Sequence, residues 1–232
     1  MALAPVNKLK KNQIVWLANH YCKHGHTYLT HYTCFLTDYE NQPFDPKEPL
    51  PIPHRVGYFD IETSNLNADY GIILAYCIKP EGEENILQRV ISPSELKTVF
   101  DEKVVKQCVA DLKQFDRVVT HYGSRFDLKF IRTRAIVHKI PFLHYQDLLH
   151  TDTYYIVRNK FKLHSNRLEN ACNVLTGSSN KTHLDPIRWN RAMTGDKEAL
   201  DYILQHCRYD VQDLERLYVT IRDFAMQREL SI

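Results

Sequence analysis

The sequence predicts an α/β or α+β domain built on a mixed sheet flanked by helices. Three observations predict it. VGYFDI (56–61) is a short apolar run bounded by turn signals, and two further runs of the same kind follow it. From residue 94 onward, segments with helical spacing alternate with another strand-like run, RVVTHY. The last stretch, 198–227, repeats apolar residues at helical intervals.

In chain order, residues 12–40 are rich in His, Tyr and Cys, and 41–55, NQPFDPKEPLPIPHR, carry five prolines and read as an extended linker. This divides the chain into a small N-terminal Cys/His-rich module with its linker, 1–53, and a main domain, 54–232. VGYFDI opens the main domain as its first strand, with Gly71–Ile78 and Ile86–Val90 as neighbours. A helix is expected over 94–115, then the strand RVVTHY. Helices are expected at Phe126–His138 and at Ser165–Leu175, with Ser165 as N-cap. Glu198–Gln227 supplies one or two closing helices.

Composition bounds the function. A chain of 232 residues with 44% hydrophobic and 25% charged residues is an ordinary globular protein with a sizeable core. Its net charge of +2 means that a polyanionic partner must be held by a local patch or by bound metal. The cysteines at 22, 34, 77, 108, 172 and 207 are scattered, and Met1–Lys11 lacks the apolar core of a secretory signal. Free thiols in a reducing, cytoplasmic setting are expected. No apolar run approaches the ~18 residues a membrane span requires, so no membrane partner is expected.

Three acidic motifs carry the chemistry. In Asp60-Ile61-Glu62, residues two apart on a strand share a face, so both carboxylates point one way while Phe59 and Ile61 point into the core. Adjacent anions on a buried strand repel and lose solvation, a cost that a hard divalent cation removes. The bland alternative is a solvated strand end. In Arg125-Phe126-Asp127 a strand ends, a glycine turns the chain and an acid heads a helix, where it also complements the helix dipole.

The third motif, His206-Cys207-Arg208-Tyr209-Asp210, lies in the closing helix. Two pairs place an aromatic group four residues before an acid: His206/Asp210 and Tyr209/Asp213. Leu200, Ile203, Leu204, Cys207, Val211, Leu214 and Tyr218 form one apolar stripe. At 100° per residue Asp210 lies roughly 70° from the centre of that stripe, on the edge of the buried face. Tyr209 and Asp213 fall towards the opposite side, facing water. His206 and Asp210 are therefore the expected pair, one turn apart on the same side.

YFDIET, HYGSRFDLKFI and HCRYDVQDLERLY, in this order and spacing, resemble the three motifs of the DEDD superfamily of 3′–5′ exonucleases, which have a ribonuclease H-like fold. LHSNRLENACNVLTGSSNK is similar to a helix that the proofreading domains of family-B DNA polymerases carry between the second and third motifs. The resemblance covers about 54–225. It implies a ribonuclease H-like α/β domain in which Asp60, Glu62, Asp127 and Asp210 hold two magnesium or manganese ions. It also implies a two-metal 3′–5′ exonuclease acting on DNA, with a polymerase or another replication or repair protein as partner. Two positions depart from the family. A histidine, His206, stands where the family has a water-orienting tyrosine four before the last aspartate. Tyr122 stands where an asparagine is common.

Arg125, Lys129, Arg158, Arg167 and Lys181 are candidates to grip flanking phosphates, with Tyr122 beside them, although a solvated surface charge is the first reading of each basic residue. Tyr122, Tyr154 and Tyr155 are candidates to stack on terminal bases. In the N-terminal segment, Cys22 and His26 followed by His31 and Cys34 would supply four tetrahedral zinc ligands. A histidine-rich surface hairpin is the alternative there. The rival functions are a structure-selective endonuclease or RNA exonuclease of the same fold, and a non-catalytic nucleic-acid binding module. Binding alone gives no reason to cluster anions against a polyanion.

Overall fold

Strand β1 (Val56–Thr63) forms where the apolar run predicts it, and the sheet extends from it in both directions. The computed structural model describes residues 55–144, 147–180, 185–225 and 230–231, within one unit, His54–Ile232. The expected N-terminal module, with Cys22, His26, His31 and Cys34, lies outside the described residues, as does Lys181.

β2 (Ile73–Pro80) and β3 (Leu87–Val90) follow β1 as an antiparallel meander. β4 (Arg117–Thr120) joins the other side of β1 in parallel, and β5 (Leu149–Asp152) is parallel to β4. A two-residue strand, β6 (Leu230–Ser231), pairs antiparallel with β5. The order β3-β2-β1-β4-β5-β6 is the mixed sheet that the sequence predicts. The helices are α1 (Pro93–Lys97), α2 (Glu102–Leu112), α3 (Asp127–Val137), α4 (Thr153–Lys160), α5 (Leu168–Thr176), α6 (Pro186–Met193) and α7 (Lys197–Ile221), which ends in a 3₁₀ turn.

Alternation along β1 divides its side chains between two buried faces. Phe59 and Ile61 enter the larger core, with Tyr76, Ile78, Val104, Cys108 and Leu112. The register pairs Asp60 with Cys77 and Glu62 with Ala75, so the two acids share the opposite face. There Val56, Tyr58, Cys77 and Val119 pack against Cys207, Val211 and Leu214 of α7. The helix predicted to carry the third motif thus covers the face bearing the first. The four described cysteines, Cys77, Cys108, Cys172 and Cys207, are free and buried, as expected.

Four local expectations are corrected. The helix expected over 94–115 is two helices. The carbonyl of Glu95 accepts from the amides of Thr98, Val99 and Phe100, and Phe100 takes a positive φ of 51°. The buried anion of Asp101 holds the break: it accepts from Arg134, His138 and the amide of Ile73. α5 starts at Leu168 with Arg167 at the cap, and the Ser165 hydroxyl accepts only from the nearby amide of Arg167. α7 ends at Ile221, short of Gln227. Finally, β5, α4 and α6 arise where the sequence pattern marks no element.

Candidate active site

Two elements bring three of the acids together. β1 supplies Asp60 and Glu62 from one face, and α7, packed on that face, supplies Asp210. One carboxylate oxygen from each of the three lies within 4.8 Å of the others. Asp210 is 7% exposed, and one oxygen each of Asp60 and Asp210 is shielded from solvent. Beneath them the Cys207 thiol donates to the carbonyl of Asp60 at 3.4 Å, fixing α7 against the strand.

Asp127 is the first residue of α3 and 4% exposed. Its Oδ1 accepts from the backbone N–H of Ile61 at 3.2 Å, which ties the second motif to the strand of the first. Burial pushes its carboxyl up to about 7. Amide hydrogen bonds from its own N–H and from Ile61 pull the other way, and the charges of Asp152 and Asp210 add to the rise.

The turn before Asp127 is built tightly. Gly123 donates to the Thr120 hydroxyl at 3.1 Å, and a Cβ on Gly123 would meet that hydroxyl oxygen at 2.4 Å, so no larger residue fits without a shift. Tyr122 takes a φ of 73°, a left-handed conformation costly for an aromatic residue. Asp152 holds this turn, accepting from the amide of Tyr122 at 2.8 Å and from the amide and hydroxyl of Ser124. It also caps α4 through the amide of Tyr154. Sequence reasoning missed Asp152. The signal is faint: an aspartate that heads a helix is an N-cap pattern, but the sequence pattern marks no helix over 153–160 for it to cap.

His206 stands one turn before Asp210 on α7, 3% exposed, with its ring edge-on to Tyr202 at 4.4 Å. The expectation that Asp213 faces water is overturned. Asp213 is fully buried and accepts from the Ser179 hydroxyl at 2.6 Å, the amide of Asn180 at 2.9 Å and the guanidinium of Arg216. Tyr209 is half-buried rather than solvent-facing. The cause is that α7 is covered on two sides, by the sheet and by α4 and α5, whose Val157, Leu168, Ala171 and Cys172 pack against Leu217 and Ile221. The apolar stripe marked only the first of these. Among the basic candidates, Arg125, Lys129, Arg158 and Arg167 are exposed and spread over the turn before α3, α3, α4 and the start of α5.

The gathered donors are all carboxylate oxygens, the hard ligands that magnesium and manganese prefer. Their charges are partly buried, and a cation would offset that burial. The residues present therefore fit a divalent metal.

The sequence pattern of the RNase H superfamily matches residues 57–222, which include all four acids. The chain belongs to the RNase H superfamily. Among solved structures, this RNase H domain is similar to the family B DNA polymerase from the hyperthermophilic archaeon Pyrobaculum calidifontis. The TM-score is 0.59 at 17% identity, over 75% of this chain and 25% of that one. The chain thus spans about a quarter of the polymerase's length, and likeness at that identity is a likeness of fold. No curated protein matches the chain.

Proposed function

We propose that this RNase H domain is a metal-dependent 3′–5′ exonuclease that hydrolyses phosphodiesters in DNA. The observation that carries the reading is the meeting of Asp60, Glu62 and Asp210, with oxygens within 4.8 Å, on a fold whose superfamily pattern spans all of them. Magnesium or manganese bound there would supply an activated water and charge stabilisation for the leaving oxygen. Asp60, Glu62 and Asp210 would hold it, and Asp127 would complete the ligand set from the head of α3. The protein's own share is orientation. The Ile61 N–H fixes Asp127, the Cys207 thiol fixes the end of β1, and the rigid turn around Gly123 sets where the head of α3 begins. His206, one turn from Asp210, orients the attacking water in place of the tyrosine that resembling exonucleases use. Exposed Arg125 would meet a flanking phosphate. DNA is the proposed substrate, and a polymerase or another replication or repair protein the proposed partner, by analogy with the polymerase that shares the fold.

The test is incubation of end-labelled DNA and RNA oligonucleotides with magnesium or manganese, with products resolved by length, beside the same assay on Asp60→Ala. A ladder shortening from the 3′ end, absent with the variant, supports the reading. Internal cuts point to an endonuclease, preference for RNA to an RNA exonuclease, and binding without cleavage to a non-catalytic module. Equal rates in wild type and Asp60→Ala reject the metal site altogether.

A further inference from the structure

Trp189 stands outside every motif read from the sequence, on α6, a helix that the sequence pattern does not mark. Yet its indole N–H donates to the carbonyl of Thr63 at 3.3 Å, across 126 residues of chain. Thr63 directly follows Glu62 on β1. The pairing of β1 with β2 slips at that point: Glu62 is opposite Ala75 and Thr63 opposite Ile73, with Leu74 passed over. An irregularity of this kind bends a strand and re-aims the side chains beside it. The Thr63 hydroxyl turns to the following loop, donating to the carbonyl of Asn65 at 2.8 Å.

Ordinary packing would account for a half-buried indole that finds a carbonyl. Two observations go further. The first is what α6 rests on, which is α7, the carrier of Asp210. The Asp185 amide at the cap of α6 donates to the Tyr202 hydroxyl at 3.0 Å, and the Arg188 guanidinium lies over the Tyr202 ring at 4.9 Å. The same ring meets His206 edge-on. One short helix therefore grips α7 beside His206 and the end of β1 one residue past Glu62. The second is that the contact is directional. The Trp189 ring packs on the larger core, which any large apolar ring would do, but only its N–H holds the Thr63 carbonyl.

We propose that Trp189 is a positioning residue for the metal site, its indole N–H pinning the irregular end of β1 so that Glu62 faces Asp60 and Asp210. This rests on the metal-binding reading of the three acids and names what keeps them together. Glu62 is the last acid of β1, and a single strand residue follows it. With the Thr63 carbonyl released, the strand end is free to relax towards the loop at 64–70. The Glu62 carboxylate then moves away from oxygens that it meets within 4.8 Å. Groups that orient metal ligands typically contribute about 10–100-fold in metal affinity.

The experiment is a manganese titration of the full chain followed by electron paramagnetic resonance, with the binding lost in Glu62→Gln taken as the metal site. Two substitutions separate the indole N–H from the bulk of the ring. Trp189→Phe keeps an aromatic ring and has no donor. It should bind manganese about tenfold or more weakly, with kcat lowered and KM for an oligonucleotide little changed, while Tm falls by only about 2–4 °C. Trp189→His loses the outer ring, but its Nε2 takes the place of the indole nitrogen. Manganese affinity should therefore return towards wild type although Tm falls further. Wild-type affinity in Trp189→Phe overturns the proposal. So does an affinity that follows Tm, with Trp189→His the weaker binder, because packing alone would then explain both. A wild-type chain that binds no more manganese than Glu62→Gln overturns the positioning role together with the metal site. The expected manganese affinities without any cleavage would reject the nuclease reading and leave the positioning role standing.

Discussion

The backbone N–H of Ile61, between the two acids of β1, donates to Oδ1 of Asp127 at the head of α3, 3.2 Å away. One hydrogen bond thus joins the strand of the first motif to the helix of the second. Asp127→Asn keeps an acceptor for this N–H but removes the anion, so it should lower the nuclease rate by orders of magnitude with little loss of stability. Asp127→Ala also strands a buried donor and should be less stable than the Asn variant by about 1–3 kcal/mol. Urea melts and turnover of the two variants check this. Wild-type turnover in Asp127→Asn would reduce Asp127 to a structural acceptor.

Metal should stabilise the fold, because it binds acids that repel one another without it. At a hundredfold excess over its dissociation constant, a ligand contributes about 2.7 kcal/mol. For a chain of this size that raises Tm by roughly 5–10 °C. Thermal melts with magnesium or manganese, and again after EDTA, should show a reversible shift that shrinks in Glu62→Gln. An unchanged Tm at millimolar metal would count against the site.

His206 is buried beside Tyr202, so its replacement tests packing and chemistry at once. His206→Phe should keep Tm near wild type and still lose about 10²–10⁴ in kcat, with oligonucleotide affinity unchanged. His206→Tyr should recover part of the rate. A fully active Phe variant would assign His206 to packing alone.

Asp213 gives the sharpest reversal. Asp213→Ala leaves the Ser179 hydroxyl and the Asn180 amide without their buried acceptor, and should cost about 3 kcal/mol. Tyr209→Phe should stay within about 0.5 kcal/mol of wild type. Denaturant midpoints of the two proteins decide between the buried and the solvent-facing placement.

Acid sensitivity should trace partly to Asp101. Burial alone would raise its carboxyl, but hydrogen bonds from Arg134, the Ile73 amide and His138 outweigh it and hold it below the usual carboxylate range. Its folded value is thus lower than the ~3.9 of an unfolded aspartate. The stabilisation is therefore complete above that value and fades as pH falls through the folded one. Asp101→Asn should cost about 3–5 kcal/mol at neutral pH and flatten the loss of stability below about pH 4. An unchanged acid limb in this variant would contradict the assignment.

What the sequence made legible follows from which forces leave a periodic trace. β1 shows its acids because strict alternation puts Phe59 and Ile61 on one face, opposite Asp60 and Glu62. His206 and Asp210 were placed on one side of α7 because a helix turn is fixed. Asp213 was misplaced because its buried environment is polar, made by a loop 34 residues earlier, and polar burial adds nothing to an apolar stripe. Asp101 resembles a surface acid until Arg134, 33 residues on, supplies its partner. β5 escaped notice because Leu149–Asp152 is four residues long and its interior member His150 is satisfied by the Thr120 hydroxyl at 2.8 Å, not by apolar contacts.

The two aspartates of α7 carry a constraint of their own. Asp210 points to Glu62 and Asp60, and Asp213 anchors the segment after α5, three residues further along the same rod. One residue inserted or deleted between them would turn one by about 100° relative to the other. Either the carboxylate cluster would come apart or the loop at 178–180 would lose its anchor. Over its central turns the helix therefore works as a key cut for two locks: half-buried Gln212 can be exchanged in kind and buried Val211 only for an apolar side chain of its size, but neither can change in number. Past Ile221, where the 3₁₀ turn already breaks the phase, the chain is released from that bookkeeping and can change in length.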